Sequence, residues 1–152
     1  MRTRSQQATY EQLLSSLESR GFSVTVLTRP AYVADPWEEL VRLMNRADGV
    51  VVAGFRQMSI RHGVWRDDTA EQATVDTVWT SPWMQIEAGM AIALGKPVLV
   101  LPERGVSEGI FARQNWTATV FGSPAGLDES PEADRWAATV RALAKRRPCP
   151  SG

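Results

Sequence analysis

The sequence predicts an α/β domain built on a doubly wound parallel sheet with helices on both faces. Two observations carry that expectation. The runs Val50-Val51-Val52-Ala53 and Val98-Leu99-Val100-Leu101 are unbroken and apolar, the pattern of strands covered on both sides. They alternate with segments of helical periodicity, as in a sheet with crossover helices. At 152 residues the chain fits one domain, here residues 1–152 with a tail from residue 145.

Each element has its own signal. Tyr10, Leu13, Leu14 and Leu17 follow helical spacing, and Gly21 stops that helix. Residues 22–27 alternate as a strand does, with Val24 and Val26 on one side. In Asp35-Pro36-Trp37-Glu38, Asp35 suits an N-cap, Pro36 the first helical position and Glu38 the capping-box acid. Trp37, Leu40, Val41 and Met44 then form an apolar stripe. Ser81-Pro82 opens the next helix and Gly95-Lys96-Pro97 closes it. Residues 117–121 read as a third strand. Ser130-Pro131 opens the last helix, with Trp136, Val140 and Leu143 on its inner side. The tail from Lys145 is basic and rich in proline, and is expected to fray. Before the first helix stand only Met1 to Ser5, short and polar, so the usual first strand of a doubly wound domain is missing.

Composition narrows the function classes. Lysine plus arginine and aspartate plus glutamate are 17 each. With no net charge, no overall field favours nucleic acid or an anionic membrane. Cys149 is the single cysteine, so no internal disulfide or cysteine-based metal site is available. His62 is the single histidine, which excludes histidine-based metal sites. No apolar run approaches a membrane span or a signal peptide, and a cytoplasmic protein is expected. No P-loop or dinucleotide glycine fingerprint is present, and no cofactor is implied.

Ligands of open α/β sheets bind outside the carboxyl ends of the strands. That directs attention to residues 55–80 and 102–116, each following a strand. The first is long for a connection and is expected to be a lid or binding loop. It carries Arg56 and Gln57, where an arginine suits a phosphate, and His62, Trp65, Arg66 and Trp79. Asp67, Asp68 and Asp76 lie there too. Trp65, Trp79 and the nearby Trp83 have the shape to stack on a base, with packing the loop down as the alternative. The second segment contains Gly105-Val106-x-x-Gly109-Ile110-Phe111, a turn followed by an apolar anchor.

The helix between them holds the most informative residue. Trp83, Glu87, Met90, Ala91 and Leu94 share one helical face, so Glu87 lies inside an apolar stripe. A capping-box acid would stand at Met84, so capping does not explain it. Two readings stay open on these residues. Glu87 pairs with an arginine such as Arg56 or Arg104 as a structural ion pair, or it is a catalytic carboxylate at a cleft.

The stretch Gln85-x-Glu87-Ala88-Gly89-Met90-Ala91-x-Ala93-x-Gly95-Lys96-Pro97-Val98 resembles the glutamate helix of nucleoside 2-deoxyribosyltransferases. Ser81-Pro82-Trp83-x-x-x-Glu87 is similar to the corresponding stretch of TIR domains, some of which cleave NAD. Ala47-Asp48-Gly49-Val50-Val51-Val52 resembles the strand before the site in both families. The likeness spans roughly residues 40–101 and implies a flavodoxin-like Rossmannoid fold. It implies that Glu87 attacks or stabilises the anomeric carbon of a nucleoside or nucleotide, with no metal and no cofactor. The candidate substrate-binding residues, drawn from the segment after the first strand and from this helix, are Arg56, Gln57, Trp65, Asp76, Ser81, Trp83 and Gln85. Sites in the transferase family are often completed by a neighbouring subunit, which implies a homo-oligomer. The transferases' aspartates for base and ribose have no secure counterpart here.

The expected function is therefore an N-glycosidase or deoxyribosyltransferase-like enzyme. A TIR-like NAD-cleaving or signalling domain and a non-catalytic nucleotide-binding sensor are the alternatives.

Overall fold

The computed structural model describes residues 2–26, 36–112 and 119–146. Among the described residues four α-helices, α1 (Arg4–Ser19), α2 (Pro36–Arg46), α3 (Pro82–Ala93) and α4 (Pro131–Ala144), are combined with five strands. The strands are β1 (Val50–Gly54), β2 (Met58–Trp65), β3 (Ala73–Trp79), β4 (Val98–Pro102) and β5 (Thr119–Phe121).

β1, β4 and β5 form a parallel sheet in the order β1-β4-β5. Val50 to Gly54 pair in register with Val98 to Pro102, and Val98 to Val100 pair with Thr119 to Phe121. β4 is central, and its Val98, Leu99, Val100 and Leu101 are all at most 1% exposed. Their alternation feeds two cores. Val98 and Val100, with Val52, pack against Leu40 and Met44 of α2 and Ala88 and Ala91 of α3. Leu99 and Leu101 pack against Leu13 and Leu17 of α1 and Trp136, Ala137 and Val140 of α4. Helices thus cover both faces, which is why these strands lack polar residues. Burying each such side chain stabilises the fold by roughly 1.5–3 kcal/mol before entropy is counted.

Local signals set the helix ends. α1 starts in a reciprocal capping box between Thr3 and Gln6. α3 is capped by Ser81, whose hydroxyl accepts from the Trp83 N–H. It ends where Lys96 N–H donates to Ala91 O and Gly95 N–H to Ile92 O, with Gly95 at φ +65°. That pair of bonds satisfies the last carbonyls and needs a left-handed residue, which glycine supplies without strain. α4 is capped by Ser130, which accepts from the Ala133 N–H at 3.2 Å.

Two expectations are corrected. Residues 22–26 are not a strand. Among the described residues β1 pairs only with β4. Alternation creates an apolar side, but a strand also needs a neighbouring ladder. Phe22 and Val24 instead pack on the second core, with the Phe22 ring 5.2 Å from that of Trp136. Second, residues 55–80 are not a loop. β2 and β3 form an antiparallel hairpin, Met58 facing Trp79 and Trp65 facing Ala73. Its alternating β-branched residues, Val75, Thr77 and Ile60 among them, favour a pleated ribbon over a coil. A bulge between Ile60 and Gly63 places His62 at φ 55°.

Smaller differences concern the stripes. On α2, Leu40 and Met44 are core, whereas Trp37 and Val41 are exposed. Leu143 of α4 is also exposed, at 40%. The turn and anchor at residues 105–111 hold as expected: Gly109–Phe111 is a 3-10 turn that buries Ile110 and Phe111. The expectations for Leu27, Asp35, Thr117 and Cys149 lie outside the described residues.

Candidate functional site

The carboxyl ends of β1 and β4 are tied together by a polar clamp. Glu103, just past β4, accepts from the Arg56 N–H at 2.7 Å and from Gln6 Nε2 at 2.8 Å. Gln6 Nε2 also donates to Arg56 O at 2.9 Å. The start of α1 is thereby fixed beside the strand ends, and Gln6 is buried in the process. Arg56 and Gln57 are exposed beyond this clamp, and the Gln57 N–H donates to Trp79 O at 2.9 Å.

α3 leaves the hairpin and crosses the first core. At about 100° per residue, Gln85 and Glu87 project from opposite flanks of its inner side. Gln85 faces the loop after β4. Its Oε1 accepts from the Ile110 N–H at 2.8 Å, and its Nε2 donates to Glu108 O at 3.1 Å. Gln85 therefore pins that loop to α3. Glu87 lies on the other flank, the side of Trp83 one turn before it, next in sequence to the buried Ala88. Its side chain is nearly out of solvent, at 8% exposed for the whole residue. The Trp83 ring meets Trp37 of α2, with centroids 5.9 Å apart and planes at 49°. Both indoles keep a large exposed area, 40% for Trp83 and 49% for Trp37. An aromatic pair at the surface, one helical turn from a buried carboxylate, is thus the central feature of this flank.

Trp65 and Asp76 stand elsewhere, on the hairpin. They line an open recess of about 720 Å³ together with Ile60, Trp79 and Glu108. Asp76 accepts from the His62 N–H at 2.7 Å, and the His62 Nδ1 lies 3.9 Å from it. Both side chains are largely exposed. Glu87 does not line this recess.

The predicted residues accordingly fall into three places. Trp83 and Glu87 share the α2–α3 flank. Trp65 and Asp76 share the hairpin recess, whose Glu108 wall connects to Gln85 through its backbone carbonyl. Arg56 and Gln57 sit at the strand ends. Ser81 and Gln85 each hold backbone groups, Ser81 as a cap and Gln85 as a loop clamp.

Sequence reasoning missed Trp37, which it assigned to the core stripe, and the Gln6–Glu103 clamp. The capping box at Thr3 and Gln6 was readable from spacing, but the reach to Glu103, 97 residues away, has no local signal. Among the described residues no group of three or more His, Cys, Asp or Glu could hold a metal ion. No described helix is long and apolar enough to cross a membrane.

No protein-family model, no curated protein and no solved structure matches this chain. What the site does has to be argued from its own residues.

Proposed function

We propose that the α2–α3 flank is the active site of an N-glycosidase or deoxyribosyltransferase-like enzyme acting on a nucleoside or nucleotide. The observation that carries the reading is Glu87, a buried carboxylate in a nearly uncharged helix, one turn from two partly exposed indoles. The Trp37–Trp83 pair offers a face for a nucleobase. Glu87 then lies where a sugar attached to that base would follow. Its carboxylate attacks the anomeric carbon, or stabilises the positive charge that develops there, as in glycoside cleavage. The bond from the anomeric carbon to the base nitrogen breaks, and its electron pair leaves with the base. Water or an incoming base then forms the new bond at that carbon, any bond from the Glu87 carboxylate to it breaks with its electron pair returning to Glu87, and a proton from the nucleophile balances the departing base. Burial strengthens any charge interaction at this point. The same reading takes the sheet as doubly wound and flavodoxin-like, with ligand at its carboxyl edge, in a cytoplasmic protein.

A second reading, a nucleotide-binding sensor without turnover, draws on a specific observation. Ser81 and Gln85, both expected to touch substrate, are engaged with backbone groups. The two readings separate in one assay. The protein is incubated with nucleosides, nucleoside monophosphates and NAD, and free base is measured by chromatography. The enzyme reading expects base release that Glu87→Gln abolishes. Release that survives Glu87→Gln removes the role of Glu87. Thermal stabilisation by these ligands without release favours the sensor. Nicotinamide released from NAD alone moves the reading to the TIR-like alternative.

A further inference from the structure

Arg20, Arg42, Arg66 and Arg135 each meet a carboxylate, on Asp128 and Asp134, Glu39, Glu71 and Glu132 respectively. Arg2, Arg56 and Arg104 do not: among the described residues none of the three forms an ion pair with an acid. Three segments of the chain bring these arginines together at the carboxyl end of β1. The guanidinium carbon of Arg2 lies 3.6 Å from the centre of the Tyr10 ring and 5.8 Å from that of Phe55. Phe55 is the neighbour of Arg56 in the chain. Arg104 follows Glu103, whose Oε2 accepts from the Arg56 N–H at 2.7 Å and whose N–H donates to Gly54 O at 3.0 Å. All three arginines are exposed. Glu103 is the acid at this point, and its donors, the Arg56 N–H and the Gln6 amide, are neutral. Three guanidiniums against one carboxylate leave a surplus of two positive charges. Like charges held together repel one another, and an anion among them removes that repulsion.

We infer that Arg2, Arg56 and Arg104 form a seat for a phosphate monoester at the carboxyl edge of the sheet. Charge selects this anion. A phosphate monoester carries about −1.5 to −2 at pH 7, which matches the surplus, whereas a carboxylate answers only half of it. Shape agrees, because a guanidinium fork pairs with phosphate oxygens two at a time. Position agrees as well, since ligands of open α/β sheets bind outside the carboxyl ends of the strands. Arg2 is already held over Tyr10 by a cation–π contact, so it loses less freedom on binding than a free side chain does. The same edge leads to α3. The Gln57 N–H donates to Trp79 O at 2.9 Å, and Ser81, which caps α3, stands two residues after Trp79. The identity of the phosphate rests on the active-site reading proposed above: it belongs to the substrate, which is then a nucleotide and not a free nucleoside. The seat itself requires nothing of Glu87.

The experiment is calorimetric titration of the full chain with inorganic phosphate, with acetate as the singly charged comparison. Arg56→Gln and Arg104→Gln are the seat variants and Arg46→Gln is the control. Arg46 is exposed and ends α2, just before the amino end of β1. Phosphate is expected to bind saturably and at least about tenfold more tightly than acetate. Either seat variant should weaken it at least about tenfold, and Arg46→Gln should leave it unchanged. Melting curves establish that each variant is folded, and if one seat variant is not, the other decides. A second arm compares a nucleoside 5′-monophosphate with its nucleoside on Glu87→Gln, with Glu87→Ala in reserve, so that no base is released. The monophosphate should bind at least about tenfold more tightly. Phosphate that does not saturate, that binds no better than acetate, or that is weakened as much by Arg46→Gln overturns the seat. A nucleoside that binds as tightly as its monophosphate overturns the nucleotide assignment, as does an equal affinity for an oligonucleotide without a terminal phosphate. The two readings fail separately. Base release that survives Glu87→Gln, with phosphate binding intact, removes the active-site role and leaves the seat. Base release that depends on Glu87, with no phosphate binding in wild type, removes the seat and leaves the active site.

Discussion

Gln85→Ala is the sharpest structural test of how α3 is wired to its surroundings. The side chain accepts from the Ile110 N–H at 2.8 Å and donates to Glu108 O at 3.1 Å, both in partly buried surroundings. Ile110 itself is 3% exposed, so water replaces the lost acceptor poorly. A hydrogen bond contributes about 0.5–1.5 kcal/mol net, and an orphaned buried group costs about 1–3 kcal/mol. Two bonds, with one buried donor left open, give a loss of about 2 kcal/mol. For a domain of this size that lowers Tm by about 4–8 °C. The assay is thermal unfolding without ligand, compared with Gln57→Ala, whose exposed side chain should leave Tm almost unchanged. Equal melting of Gln85→Ala and wild type would refute the clamp. Gln85 would then be free to serve as a ligand-contacting group.

Two further expectations follow from the ends of the same helix. Ser81→Ala should cost about 1 kcal/mol, because the cap at the Trp83 N–H is lost, and calorimetry would show it as a Tm decrease of a few degrees. Gly95→Ala should cost about 1–2 kcal/mol although its Cβ would meet nothing within 4 Å, since the loss comes from φ +65° alone. Urea titration with an unchanged m-value would distinguish that local strain from a change in the unfolded chain.

Much of the parallel sheet was legible because its strands advertise themselves twice. Val50 to Ala53 and Val98 to Leu101 are apolar without interruption, and helices must then cover both sides. The caps at Ser81 and Ser130 and the stop at Gly95 are equally local and were read from neighbouring residues. The hairpin was missed because its charged and polar residues, Arg61, His62 and Asp76 among them, hide a modest alternation, and most of it is exposed. Residues 22–26 erred the other way. Their alternation was real, but pairing depends on a neighbour that local sequence cannot supply.

At the site, the burial of Glu87 was foreseeable from its apolar surroundings. Its placement on the flank opposite Gln85 also follows from helical periodicity. Which partners stand across from each flank did not. Trp37 reaches Trp83 only because α2 and α3 pack side by side, and nothing in either helix encodes that meeting. Trp65 and Asp76 were grouped with Glu87 by loop membership, yet the hairpin carries them into a different recess.

The most direct measurement is a crystal structure of the Glu87→Gln variant with a nucleoside monophosphate bound. The account predicts the base against Trp37 or Trp83 and the anomeric carbon of the sugar in contact with the side chain at position 87. A nucleotide held in the hairpin recess between Trp65 and Glu108, with position 87 away from the sugar, would contradict it.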